Sequence, residues 1–254
     1  MNIAFITAVL PVALLLWFIY KQDKYQPEPV GKLVLTFFVG CLSVLPASAM
    51  EVVLTTMVPD ELANPVLGGL YNGYVVAGFS EELCKLLLLL LVIWRSRHFD
   101  EYFDGVVYAA YLSLGFACVE NISYVMGGDA PMATAIMRGI LAVPAHFLFA
   151  VAMGYYVSLA KFDPAHRGRH FVCALFYPVL LHGTYDALLM VSGNISGGDS
   201  LVGGMVSLVL FVTFVVFDIR LWKKGIKRIK RMQERTQEEG YSRENPFEGF
   251  RWDV

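Results

Sequence analysis

Seven apolar runs alternate with short polar connectors along the chain: residues 2–20, 33–57, 66–94, 104–126, 134–160, 171–192 and 201–222. Each is about the length a helix needs to cross a bilayer, roughly 20 residues. Backbone in lipid must satisfy its own hydrogen bonds, and strands of closed barrels are only about half as long. The pattern therefore predicts an all-α, polytopic transmembrane helix bundle of about seven spans. Pro59, Pro65, Pro131, Gly127-Gly128 and Gly197-Gly198 fall between runs, where helices should end. No basic residue precedes the first run, which is also longer than a signal-peptide core, so it reads as a retained helix.

Charge fixes an orientation. Lys21, Lys24 and Lys32 follow the first run, Arg95 and Arg97 the third, Lys161, Arg167 and Arg169 the fifth, and Lys223 to Arg231 the seventh. The connectors around 58–65, 127–133 and 193–200 hold no Lys or Arg. Strict alternation predicts an outside N-terminus and a cytoplasmic C-terminus. The chain is 57% hydrophobic and 17% charged, against about 25% charged in soluble domains. One membrane domain over 1–222 is expected in the cell (inner or plasma) membrane. A basic, mobile cytoplasmic tail over 223–254 is expected to follow, its first part resting on anionic lipid. There is no internal repeat, low-complexity segment or phosphate loop, and nothing beyond that tail patch reads as nucleic-acid binding. Cys41, Cys84, Cys118 and Cys173 lie in or beside apolar runs without CxxC spacing, so they read as small core residues.

Candidate chemistry lies inside the spans. Glu81, Glu82 and Lys85 interrupt the third; Glu120 and Asn121 the fourth; Arg138 and His146 the fifth; His182 and Asp186 the sixth. Each carboxylate at mid-membrane costs at least about 2.5 kcal/mol, so such groups mark functional sites. At about 1.5 Å per residue, Glu81, Glu120, His146 and His182 fall within about two turns of one level if the third helix begins near Asn72. Glu81 and Lys85 share a helix face, as do His182 and Asp186, so Asp186 can orient the imidazole or act as a ligand itself. Glu51 and Asp218 lie nearer span ends and read as interface residues. Arg138 reads as a headgroup residue or the partner of a site carboxylate.

At these residues the chain resembles the PrsW family of bacterial intramembrane proteases, distant relatives of the CAAX prenyl endopeptidases and Abi proteins. Glu81-Glu82-Leu83-Cys84-Lys85 is similar to its EExxK motif, Phe116 to Glu120 to FxxxE, and His182 to Asp186 to HxxxD. The run His98 to Tyr108, Pro144-Ala145-His146, and Asp23 to Pro29 also resemble family segments. The prenyl endopeptidases instead carry FxxxH and HxxxN, which favours the PrsW branch. The resemblance covers about residues 5–222. It implies cleavage of a single-pass membrane protein, typically an anti-sigma factor, as the first cut of a stress-signalling cascade. It also marks Glu101 as functional, although Glu101 lies 19 residues before Glu120, about 28 Å along a helix, and so reads as a gating or structural candidate.

Two mechanisms stay open. Without metal, Glu81 or Glu82 activates water and His182 stabilises the oxyanion, with Lys85 deciding which glutamate stays ionised. With zinc, His146, His182 and one or two of Glu82, Glu120 and Asp186 are ligands, and the remaining glutamate is the base. The competing classes are a proton or metal-ion transporter, against which no inverted repeat is found, and a catalytically silent scaffold.

Overall fold

A computed structural model describes residues 2–23, 26–57, 64–196 and 201–239. Those residues fold into helices in the expected order. α1 spans Asn2–Gln22 and α2 spans Val30–Thr56. The third rod joins α3 (Pro65–Tyr71), a π-helical stretch (Asn72–Phe79) and α4 (Ser80–Ile93). α5 spans Tyr102–Gly127, and the fifth rod is α6 (Pro131–Ile140) running into α7 (Ala142–Phe162). A 3-10 turn at Pro164–His166 leads to α8 (Arg167–Ser196), and α9 spans Leu201–Glu239. Five rods, those of α1, α2, α5, α6–α7 and α8, are single stretches long and apolar enough to cross a membrane. With the broken third rod and α9 they make the seven helices of a membrane bundle. The helix-ending prolines act as expected: Pro65 and Pro131 occupy first turns, where their missing N–H has no partner to lose.

α5 is the central helix, buried along most of its length and packed by α7, α2 and α1. Glycine makes these crossings close. A Cβ on Gly40 would stand 1.9 Å from the Leu112 carbonyl oxygen, and one on Gly154 would stand 2.3 Å from that of Gly105. Lipid is as apolar as leucine, so helices in a bilayer associate through such close packing.

The basic connectors gather at one end of the bundle. Lys32 donates to the Val92 carbonyl (2.9 Å) and Lys161 to the Trp94 carbonyl (2.8 Å), capping the C-terminal end of α4 with cations. Arg167 donates to the Ala160 carbonyl near the end of α7 (3.0 Å). Residues 223–239 differ from the mobile tail expected there. They continue α9 without a break, bury Ile229 and Met232, and lay Arg228 over the Tyr155 ring. Lys24, Tyr25, residues 58–63 and 197–200, the end of the chain after Glu239, and the Asp218 side chain lie outside the described residues. All four cysteines are free thiols.

Candidate active site

The three motifs meet because three helices turn their polar faces to one point. Glu81, Glu82 and Lys85 occupy the first two turns of α4, immediately after the π-helical stretch. That stretch lies close against α8: a Cβ on Gly73 would stand 2.6 Å from the Ala187 nitrogen, and one on Gly78 would stand 3.1 Å from that of Gly183. The Tyr74 hydroxyl and Thr184 are hydrogen-bonded across the same seam (2.7 Å). α8 thereby presents His182 to Glu82, and α7 presents His146 beside it, the two rings edge to face at 5.1 Å.

Lys85 is the hub. Its Nζ donates to Glu81 Oε2 and Glu82 Oε1, both at 2.9 Å, and to His146 Nδ1 at 3.3 Å. The Phe116 ring lies 3.9 Å beneath the ammonium. His182 Nδ1 donates to Glu82 Oε1 (2.8 Å), and His182 Nε2 lies 3.8 Å from Glu81 Oε2. Phe149 stacks on the His182 ring at 4.9 Å.

An outer layer of charge orients both imidazoles. His146 Nε2 donates to Glu120 Oε2 (2.8 Å), which leaves Nδ1 with its lone pair toward the cluster. Arg138 pairs with the same Glu120 oxygen (2.9 Å), donates to Asn121 Oδ1 (3.1 Å) and lies over Tyr124. Asn121 in turn donates to the Ala8 carbonyl (2.7 Å), fixing the network to α1. On the other side His182 Nε2 lies 3.1 Å from Asp186 Oδ2. The inner side chains are sealed, Glu81 at 7% exposure and Glu82 at 1%, whereas Glu120 and Asp186 keep 19% and 18%. Glu120 and Asp186 therefore form the more exposed rim of the cluster.

Glu81, Glu82, Lys85, Glu120, His146, His182 and Asp186 are thus brought together, with Glu120 and Asp186 behind the imidazoles. Glu101 stands apart. It caps the N-terminus of α5 in a reciprocal capping box with Asp104, at the far end of the helix from Glu120. Arg138 is a partner of a site carboxylate. Glu51 is not merely an interface residue: half-buried, it lies in electrostatic range of Glu120, Lys85, His182 and Asp186.

The sequence model of the PrsW family intramembrane metalloproteases matches residues 28–217. The chain belongs to the PrsW family. It is 34% identical to Protease PrsW of Halalkalibacterium halodurans over 88% of this chain and 94% of that protein. It is 34% identical to Protease PrsW of Bacillus subtilis over 88% and 92%, and 29% identical to that of Clostridioides difficile over 92% of both. No solved structure matches the chain. PrsW proteins are intramembrane peptidases, and this one is a multi-pass membrane protein.

The family description names a metalloprotease, and the inner residues fit a metal. Glu81, Glu82, His146 and His182 each offer a donor atom, all within 4.8 Å of one another. Glu82 Oε2 is buried with no hydrogen-bond partner. Each imidazole turns one nitrogen inward and leaves the other to an outer carboxylate, the arrangement that orients metal-bound histidines. The cation that these groups face in this structure is the Lys85 ammonium.

Proposed function

We propose that this PrsW protease hydrolyses a peptide bond of a single-pass membrane protein, with Glu81 as the general base and general acid. The convergence of two glutamates and two histidines on one buried point carries this reading. Glu81 is the better base of the two glutamates. Its side chain keeps slight exposure, whereas Glu82 is held between His182 and Lys85. Glu81 accepts a proton from water as the water oxygen bonds to the scissile carbonyl carbon, then gives that proton to the leaving amine nitrogen. Lys85 faces the negative charge that develops on the carbonyl oxygen, joined by His182 when no metal is bound.

His146, His182 and Glu82 would hold zinc, a ligand set that leaves a position open for water. Bound there, zinc supplies Lewis-acid polarisation of the carbonyl and a more acidic water. Glu120 and Asp186 fix the two rings, and Arg138 fixes Glu120. The family resemblance makes an anti-sigma factor the proposed substrate, cut first in a signalling cascade. The Lys/Arg alternation supports a cytoplasmic C-terminus, with Lys223 to Arg231 against anionic lipid.

The test is cleavage of a purified single-pass anti-sigma factor by purified full-length protein in detergent, before and after chelation and zinc return. Cleavage that chelation removes and zinc restores supports the full reading. Chelator-resistant cleavage removes the metal and leaves the glutamate mechanism. Absence of cleavage, with ion flux in liposomes, favours a transporter.

A further inference from the structure

Two family-like segments, Asp23 to Pro29 and His98 to Tyr108, contribute nothing to the catalytic cluster, yet the fold brings them together at the end of the bundle that gathers the basic connectors. Asp23 and Glu28 of the α1–α2 connector are both buried, Glu28 beside Asp104 in the first turn of α5, with Asp100 at the exposed edge. Donor oxygens of Glu28, Asp100 and Asp104 all lie within 4.8 Å of one another.

Hydrogen bonds explain only half of this cluster. Asp104 Oδ2 accepts from the backbone N–H of Asp100 (3.0 Å) and Glu101 (2.6 Å). Asp23 Oδ2 accepts from the Glu28 N–H (2.9 Å), and Glu28 Oε2 accepts from the Tyr108 hydroxyl. Asp104 Oδ1 has no partner, although the residue is 0% exposed. Its carboxyl abuts that of Glu28. Burial pushes Glu28 up to about 7 despite the Tyr108 hydrogen bond, and Asp23 up to about 6. Buried carboxylates in contact, one with a bare oxygen, lack a positive charge or a proton.

We infer that Glu28, Asp100 and Asp104 form a binding site for a hard divalent cation of calcium's size, separate from the catalytic cluster. All the donors are oxygens, which selects calcium-like ions over zinc. Calcium–oxygen bonds of about 2.3–2.6 Å place opposite ligands about 4.6–5.2 Å apart, so donors within 4.8 Å of one another can share one such ion. Exposed Asp100 gives the entry path. The ion ties the α1–α2 connector to the start of α5, the helix that delivers Glu120.

Terbium is the probe, because it mimics calcium and emits when a nearby tyrosine is excited; Tyr108 already touches the site. Chelator-treated full-length protein in detergent is titrated with terbium. Saturable emission, displaced by calcium, is expected. Asp100→Asn and Asp104→Asn should each raise the midpoint at least about tenfold, and Glu81→Gln and Glu82→Gln should leave it unchanged. If Asp104→Asn fails to fold, Asp100→Asn decides, because its side chain is exposed. No saturable emission would mean that Glu28 and Asp104 share a proton instead, and would overturn the inference. So would a midpoint unmoved by Asp100→Asn, or emission lost with the glutamate variants.

Discussion

Lys85→Met removes the one ammonium bonded to both motif glutamates, and its cost can be worked from the distances. Each 2.9 Å contact is worth about 6 kcal/mol at an effective dielectric of about 20. Against these two attractions stand the desolvation of three buried ions, several kcal/mol each, and the repulsion between the carboxylates. The intact cluster is therefore near balance. Removing only the lysine leaves the desolvation and repulsion of the glutamates without compensation, which typically costs about 3–5 kcal/mol. That is a large share of a typical stability of about 5–15 kcal/mol. Replacing Glu81 and Glu82 by glutamine as well removes the stranded charge, so the triple variant should recover most of the loss. The assay is thermal unfolding of chelator-treated protein in detergent, so that no metal replaces the ammonium. A Lys85→Met protein as stable as the parent, or a triple variant as unstable as Lys85→Met, would refute the reasoning.

Glu120→Gln and Asp186→Asn keep the shape of the groups behind the imidazoles and should lower cleavage about 10–100-fold, with the protein folded and its substrate affinity unchanged; a steady-state split of kcat from KM checks this. Gly154→Val should fail to yield folded protein by size-exclusion chromatography, because even its Cβ would stand 2.3 Å from the Gly105 carbonyl oxygen. At the α7–α8 turn, hydrogen bonds from His170 and His166 hold the Asp163 carboxylate below its ordinary value of 3.8. Its stabilisation is therefore present above about pH 4 and lost as pH falls through the lowered value. Asp163→Asn should then lower the Tm at pH 7, and by less as the pH is taken down through that lowered value.

The seven rods were legible because a helix in lipid must be long, apolar and ended by proline or glycine. Their interruptions were not. Residues 66–94 read as one overlong span, yet Asn72–Phe79 is π-helical, where Gly73 and Gly78 lie against α8. That contact is tertiary and leaves no local signature. That these polar residues cluster was legible from the expense of charge in lipid and from depth counted along helices. Glu51 lies 6 residues from the end of its run, as Glu120 does from its own, so depth along the helix points to the cluster and the interface reading of Glu51 fails. Lys85 at the centre of the site was half legible: its pairing with Glu81 followed from i,i+4 spacing, but its approach to His146 depends on how α4 meets α7. The helix at the start of the tail was not legible because its charge hides an apolar stripe, Ile226, Ile229 and Met232, at helical spacing.

The central claim is that the paired glutamates do the chemistry. Cleavage of a single-pass substrate by Glu81→Gln and Glu82→Gln, measured alongside Tm and zinc content, tests it most directly. Both variants should stay folded. Glu81→Gln should keep its zinc and lose about 10²–10⁴-fold in cleavage rate, the worth of a positioned base; Glu82→Gln should lose zinc and activity together. Near-normal cleavage by both would contradict the mechanism.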